Sequence, residues 1–211
     1  MKGIIFTENN FLLTIDRIKK QTRRIINPQP DFFDEGKPYC ETDFRFKTKS
    51  RLNEDGEHWF EIKPRYKVGE TVYLKEPYFL YDEKYLELKT TNGLEVSYKY
   101  GNNLSLEEIT GKSGLKWESK LFMPESAARY FIKITDVRAE RLQDISDEDC
   151  IKEGILEERN WGNGTEWFTY SNGTYSFGTP REAYAALINE INGAGTWKDN
   201  PFVWVYDYEH I

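Results

Sequence analysis

The sequence predicts an α+β fold: a small mixed β core with about three helices and two inserted loop segments. Three observations lead there. Residues 202–208 (FVWVYDY) are apolar on both alternating faces for most of their length, the pattern of a strand paired on both sides in a sheet or barrel. Residues 129–142 form a long β run in which Tyr130, Ile132 and Ile134 alternate with Phe131, Lys133 and Thr135. The best-marked helix has Thr179 as its cap, Pro180 in its first turn, Glu182 as the capping-box acid and Asn192-Gly193 as its stop.

The other elements follow in order. Residues 3–7 (GIIFT) read as a first strand. Asn9 or Asn10 is expected to cap a helix with Phe11, Ile15 and Ile18 on one face. Residues 21–26 read as extended, with Thr22, Arg24 and Ile26 on one side and Arg23 and Ile25 on the other. Asn27-Pro28-Gln29-Pro30 stops this run, because proline removes a donor and restricts its predecessor. The first insertion, residues 31–56, is polar and aperiodic: a long loop or weak hairpin. Residues 59–62 and 71–74 read as strands, the second launched by the turn Val68-Gly69-Glu70. Asn92-Gly93 between residues 85–90 and 94–100 signals a hairpin. Asp136 breaks the long alternation as a bulge would. Ser146 caps a short helix, with Asp149 at the capping-box position and Gly154 as a left-handed stop. The second insertion, residues 156–178, is rich in Gly, Asn, Trp and Tyr. In the helix after it, Ala183, Leu187 and Ile191 line one face with Tyr184 and Ile188.

The length of 211 residues suits one domain over 1–211 carrying these insertions. Against 29 Lys and Arg stand 36 Asp and Glu, a net charge of −7, which excludes attachment to duplex DNA by bulk charge but leaves room for a small basic site. Aromatic residues make up 16% of the chain, ample for a packed core. A mean hydropathy of −0.74 and the lack of a long apolar run predict no membrane span. Residues 1–6 do not read as a secretory signal, so the expected location is cytoplasmic, with Cys40 and Cys150 as reduced thiols. Two histidines, His58 and His210, and two cysteines are too few for a structural zinc site, and neither metal nor cofactor is expected. Asn103, Asn163 and Asn172 match the glycosylation pattern but read as loop residues.

Four features bear on chemistry. The basic run from Arg17 to Arg24 suits a helix C-terminus and a charged edge strand, or equally an anion site in which Arg23 or Arg24 grips phosphate. Glu153, at the last turn of its short helix, meets the negative end of the helix dipole; it is either a general acid/base or a solvated surface residue. Lys75 and Glu76 end the strand after the Gly69 turn, as ligand contacts or as an exposed ion pair. Trp161 and Trp167 lie among loop glycines, where rings stack on nucleobases or pin a loop. No Ser-His-Asp arrangement, phosphate-cradling loop or dinucleotide fingerprint is present.

Together these motifs resemble the ASCH family, a branch of the PUA-like β-barrels. The resemblance rests on Lys19, Thr22 and Arg24 in a Lys-x-x-Thr-x-Arg stretch, on Val68-Gly69-Glu70, and on Ile134-Thr135-Asp136-Val137 leading through Leu142-Gln143-Asp144-Ile145 to Glu153-Gly154. Phe122-Met123-Pro124, Asn192-Gly193, Trp197, Asn200-Pro201 and Val203-Trp204-Val205 are similar to the larger phage and prophage members. The resemblance implies a PUA-like mixed β-barrel with a cleft that recognises a nucleobase, a modified nucleoside or a short single strand, RNA rather than DNA. One branch of the family hydrolyses N4-acetylcytidine with Lys, Thr and Glu, which match Lys19, Thr22 and Glu153 here. Arg23, Arg24, Lys75, Glu76, Trp161 and Trp167 are the ligand-binding candidates. Arg17 departs from the family pattern, which has Gly at its position, and the insertions make the chain about twice as long as the compact enzymes. An amidohydrolase and a non-catalytic phage accessory protein are the alternative readings, and the oligomeric state stays open. If Lys19 and Glu153 instead form only an exposed salt bridge, it stabilises by at most about 1 kcal/mol.

Overall fold

A computed structural model of the chain describes residues 1–30, 46–50, 58–82, 94–100, 105, 116–159, 164–170 and 175–211. The strands are β1 (Lys2–Ile5), β2 (Gln21–Ile25), β3 (Phe46–Ser50), β4 (His58–Ile62), β5 (Thr71–Lys75), β6 (Tyr78–Asp82), β7 (Leu94–Tyr98), β8 (Phe131–Arg141), β9 (Leu156–Arg159), β10 (Glu166–Thr169) and β11 (Phe202–His210). The helices are α1 (Glu8–Ile15), α2 (Asp147–Lys152), α3 (Pro180–Asn192) and the single turn α4 (Thr196–Asp199). The fold is mixed α+β. Its main sheet has five strands in the order β1-β5-β8-β11-β2, a linear rather than a closed order among the described residues. Three two-stranded ribbons accompany it: β3 with β4, β6 with β7, and β9 with β10.

The chain forms two compact units. The first comprises Met1–Ile18, Thr71–Lys133 and His210–Ile211. Here β1 runs parallel to β5, with Gly3 opposite Tyr73, and β5 pairs antiparallel with the start of β8. Phe11 packs against the rings of Tyr100 and Tyr130, at 5.1 and 5.8 Å between centroids. Met123, Ala127 and Tyr78 form a small buried cluster against β7.

The second unit comprises Lys19–Glu70 and Ile134–Glu209. Its sheet portion pairs β11 with β2, and Val203 and Val205 of β11 pack under Leu142, Ile145, Cys150, Ala183, Tyr184, Leu187 and Ile188. Residues 202–206 are buried without alternation, as the doubly apolar pattern requires of a strand flanked by β8 and β2. Helix α3 has the full reciprocal capping box: the Thr179 side chain accepts from the Glu182 backbone, and the Glu182 carboxylate accepts from that of Thr179.

Several elements differ from the sequence reading. Helix α1 is capped by Thr7, whose hydroxyl accepts from Asn10 N–H at 3.3 Å, rather than by either asparagine. Ile15 ends α1 and Ile18 lies beyond it, exposed. Strand β7 takes Tyr78–Asp82 as its partner, a strand hidden behind Pro77, while the expected Asn92-Gly93 turn and residues 85–90 lie outside the described residues. Both insertions contain paired strands: β3 falls in the first, and the β9–β10 ribbon in the second. The turn α4 was not anticipated, and Ile191 is exposed at the end of α3. In β8 the inward residues are Ile132, Ile134 and then Val137, so burial shifts phase at Asp136, as a bulge there would produce. Replacing Thr179 by Ala removes the acceptor half of the α3 box. The expected loss is about 1 kcal/mol in denaturant unfolding.

Candidate functional site

Two turns of backbone bring the site together. After α1, Asp16 N–H bonds back to Leu12 O and Ile18 N–H to Leu13 O, and Arg17 between them takes φ +62°. That left-handed conformation favours glycine and costs an L-residue roughly 1–2 kcal/mol. Lys19 therefore lies in the connection between α1 and β2 rather than on the helix. At α2, Ser146 caps the start through Asp149 N–H, and Glu153 is the C-cap, followed by Gly154 at φ +97°. The Lys20 backbone N–H donates to Lys152 O at 2.8 Å, tying the approach to β2 to the end of α2.

The result is a buried ionic cluster. Lys19 Nζ donates to Glu153 Oε2 and to the Glu153 carbonyl, both at 2.6 Å, and the two residues are only 1% and 3% exposed. The amine thereby serves an end carbonyl of α2 and a carboxylate together. Arg23, from β2, reaches Glu153 Oε1 at 3.3 Å, Asp149 Oδ2 at 2.9 Å and Glu140 Oε2 at 3.0 Å. Its Nη1 also donates to Gln21 Oε1. Gln21 Nε2 in turn donates to Asp207 at 2.7 Å and Asp149 at 3.2 Å. Arg138 of β8 continues the chain, donating to Asp149 at 2.7 Å and pairing with Glu140 and Asp207. Asp149, expected as a capping-box acid, instead turns its carboxylate toward these cations.

Burial and charge act in opposite directions here. Burial lowers the Lys19 amine below its ordinary range; Glu153 pulls it back up through charge and hydrogen bond, and Arg24 and Arg23 push it down again, leaving it lowered. For Asp149, burial raises the carboxyl, but hydrogen bonds from Arg23, Lys152 and Gln21 and the Arg23 charge outweigh it, holding the pKa at about 2. Burial also raises the Tyr184 phenol well above its usual value. Tyr184 Oη and Arg23 Nε are buried with no hydrogen-bond partner among the described residues.

Strand register divides the sequence candidates. Across β2 and β11, Arg23 faces Val205 and Gln21 faces Asp207, on the side that carries the cluster. Thr22 faces Tyr206 and Arg24 faces Trp204, on the other side, because alternate residues of a strand point to opposite faces. Tyr66 joins that second side, edge-on to Tyr206 at 5.2 Å. The structure thus unites Lys19 and Glu153, while no hydrogen bond joins Thr22 to either. Lys19–Glu153 is a buried pair, not an exposed bridge. Arg23 has a fully buried side chain engaged with carboxylates, so it offers no open fork to a phosphate.

Lys75 and Glu76 do not pair with each other. Lys75 Nζ donates to Leu121 O at 2.8 Å. Glu76 is fully buried and receives Arg129 through two bonds of 2.8 Å. Trp167 is half-buried in β10, and Trp161 lies outside the described residues. Sequence reasoning missed Gln21, Glu140, Arg138 and Asp207; their one signal was a polar or charged residue at alternate positions of a strand. Cys150 is free and buried, and Cys40 lies outside the described residues. Among the described residues, no group of His, Cys, Asp or Glu is arranged to hold a metal ion, and no helix is long and apolar enough to cross a membrane. Comparison with protein-family models, with curated proteins and with solved structures finds no match for this chain.

Two measurements test the cluster. The Asp149 carboxyl sits below its ordinary value of 3.8, so its contribution to stability is present above that pH and is lost as the pH falls from 3.8 toward about 2. Unfolding free energy followed through this window should decline, with a shallower slope in Asp149→Asn. Replacing Arg23 by Met leaves Glu140, Asp149 and Glu153 short of a cation and should cost about 3–5 kcal/mol in chemical denaturation. A loss under 1 kcal/mol would mean that the carboxylates do not depend on it.

Proposed function

We propose that this chain is an ASCH-type, PUA-like protein that recognises a nucleobase or modified nucleoside, free or within a short single strand of RNA. The observation that supports this reading is the meeting of Lys19 and Glu153, 134 positions apart in sequence, at 2.6 Å. Each belongs to a motif that carries the resemblance. A lysine–glutamate pair presents both a donor and an acceptor, the two functions needed to read the edge of a base. The β2–β11 face bearing Thr22, Arg24, Trp204 and Tyr206, with Tyr66 beside it, adds aromatic rings, a hydroxyl and a guanidinium. The net charge of −7 fits a footprint of one or a few nucleotides rather than a long groove.

The lowered Lys19 amine favours a second reading, hydrolysis of an N4-acylated cytidine. Water would attack the acyl carbon, the bond from that carbon to N4 would break, and N4 would take the proton, giving a carboxylic acid and cytidine. Either Thr22, relieved of its proton by a neutral Lys19, or a water activated by Glu153 would serve as the nucleophile of this step.

Calorimetric titration with cytidine, N4-acetylcytidine and a short single-stranded RNA, each at several salt concentrations, tests recognition. Saturable binding of at least one is expected, weakened roughly tenfold or more by Lys19→Ala in protein of native circular dichroism. No binding of any of the three, or equal binding by the variant, overturns the reading. Release of acetate from N4-acetylcytidine by wild-type protein, lost in Lys19→Ala, would select the hydrolase.

A further inference from the structure

In the first unit, Glu76 and Arg129 form a second arrangement that the reading above does not use. The Glu76 carboxylate has no exposed surface and holds Arg129 side-on, through Nε to Oε1 and Nη2 to Oε2, both 2.8 Å. The remaining Nη2 hydrogen is directed to the Tyr100 carbonyl at 2.9 Å. The Tyr98 ring centroid lies 4.2 Å from the guanidinium carbon and that of Tyr130 lies 4.9 Å away. Tyr98 is itself fixed, its hydroxyl donating to Ala127 O at 2.7 Å. The guanidinium is therefore held along one edge and flanked by two rings. Its side chain is nonetheless 34% exposed, and Nη1 donates to no group among the described residues.

This is an unusual use of a buried carboxylate. Taking Glu76 out of water raises its pKa, an effect that Arg129 offsets only in part. A buried ion pair contributes little net stability compared with apolar side chains of the same volume. What the pair does supply is aim: it fixes a permanently charged fork through two of its nitrogens and leaves the third, with two N–H donors, unspent among the described residues. With tyrosines beside the plane, a partner approaches in the plane of the fork, as a hydrogen-bond acceptor. The acceptors that gain most from a cationic donor are oxyanions.

We propose that the Nη1 edge of Arg129, aimed by Glu76 and flanked by Tyr98 and Tyr130, is a binding site for a phosphate group. The site stands independently of the Lys19–Glu153 reading. Its residues all lie in the unit that does not contain that pair.

The test uses the full chain with 15N-labelled arginine, titrated separately with inorganic phosphate, a nucleoside 5′-monophosphate and the parent nucleoside, at constant ionic strength in chloride. The phosphate-bearing probes should shift the Arg129 guanidinium signals saturably, and the nucleoside alone should not. Arg129→Lys keeps the charge but lacks the fork, and should weaken binding roughly tenfold or more. A monophosphate bound at least tenfold more tightly than inorganic phosphate makes the ligand a nucleotide; equal affinities make it free phosphate. Guanidinium signals unmoved by either anion, or binding equal in wild type and Arg129→Lys, overturn the proposal. If Arg129→Lys does not fold, the wild-type titration decides alone.

Discussion

The second unit depends on one guanidinium that never meets solvent. Arg23 projects from β2 toward carboxylates on two other elements, Glu140 from β8 and Asp149 and Glu153 from α2 with its C-cap. A buried cation cannot be left unpaired, because the cost of an isolated charge in the interior far exceeds that of any single contact. β2, β8 and α2 are thus obliged to take positions in which all three carboxylates converge on one point. Once they do, Glu153 stands where Lys19 can reach it, and the pair is a consequence of the Arg23 constraint rather than a separate device. The cluster contributes little stability relative to an apolar core of equal volume. What it imposes is arrangement: Gln21, Arg23 and Arg138 alternate with carboxylates so that each charge has opposite neighbours.

The first unit applies the same chemistry differently. Glu76 is as deeply buried as Glu153, and it too receives an arginine. The difference lies in what remains open. Arg23 spends its terminal nitrogens on Gln21 and three carboxylates, whereas Arg129 spends only two nitrogens and keeps Nη1. The first arrangement closes a junction between elements; the second presents a donor. A sequence shows the same residue types in both cases, since one Arg and one Glu far apart say nothing about how many donors are left over.

Much of the fold was legible for physical reasons that are local. The α3 capping box lies within four consecutive residues, and the doubly apolar β11 announces its flanking strands through its own composition. Glu153-Gly154 could be read as a helix end because left-handed backbone selects glycine. What was not legible depends on partners remote in sequence. Leu94–Tyr98 pairs with Tyr78–Asp82, a partner that the turn signal at Asn92-Gly93 does not name. Glu76 and Arg129 are 53 residues apart, and neither carries a mark of burial in its neighbourhood. The linear order of the five main strands is likewise a matter of long-range pairing that periodicity does not encode.

The alternation of β2 also bears on what the Lys19–Glu153 pair can do. A strand has a period of two, so Gln21 and Arg23 share a side and Thr22 cannot join them there without a twist or bulge that the continuous β2–β11 register excludes. Thr22 shares its side of β2 with Arg24, on which the Glu153 charge also acts. Glu153 itself accepts from Lys19 on one oxygen and from Arg23 on the other. To take a proton from a reacting group it must give up a paired charge in a buried site, which carries the desolvation penalty of the partner left behind. A ligand that takes only the third hydrogen of the Lys19 amine leaves that pairing intact, although it has first to reach a residue that is 1% exposed. Proton transfer by Glu153 would therefore break the ion pair, whereas use of the free Lys19 hydrogen would not.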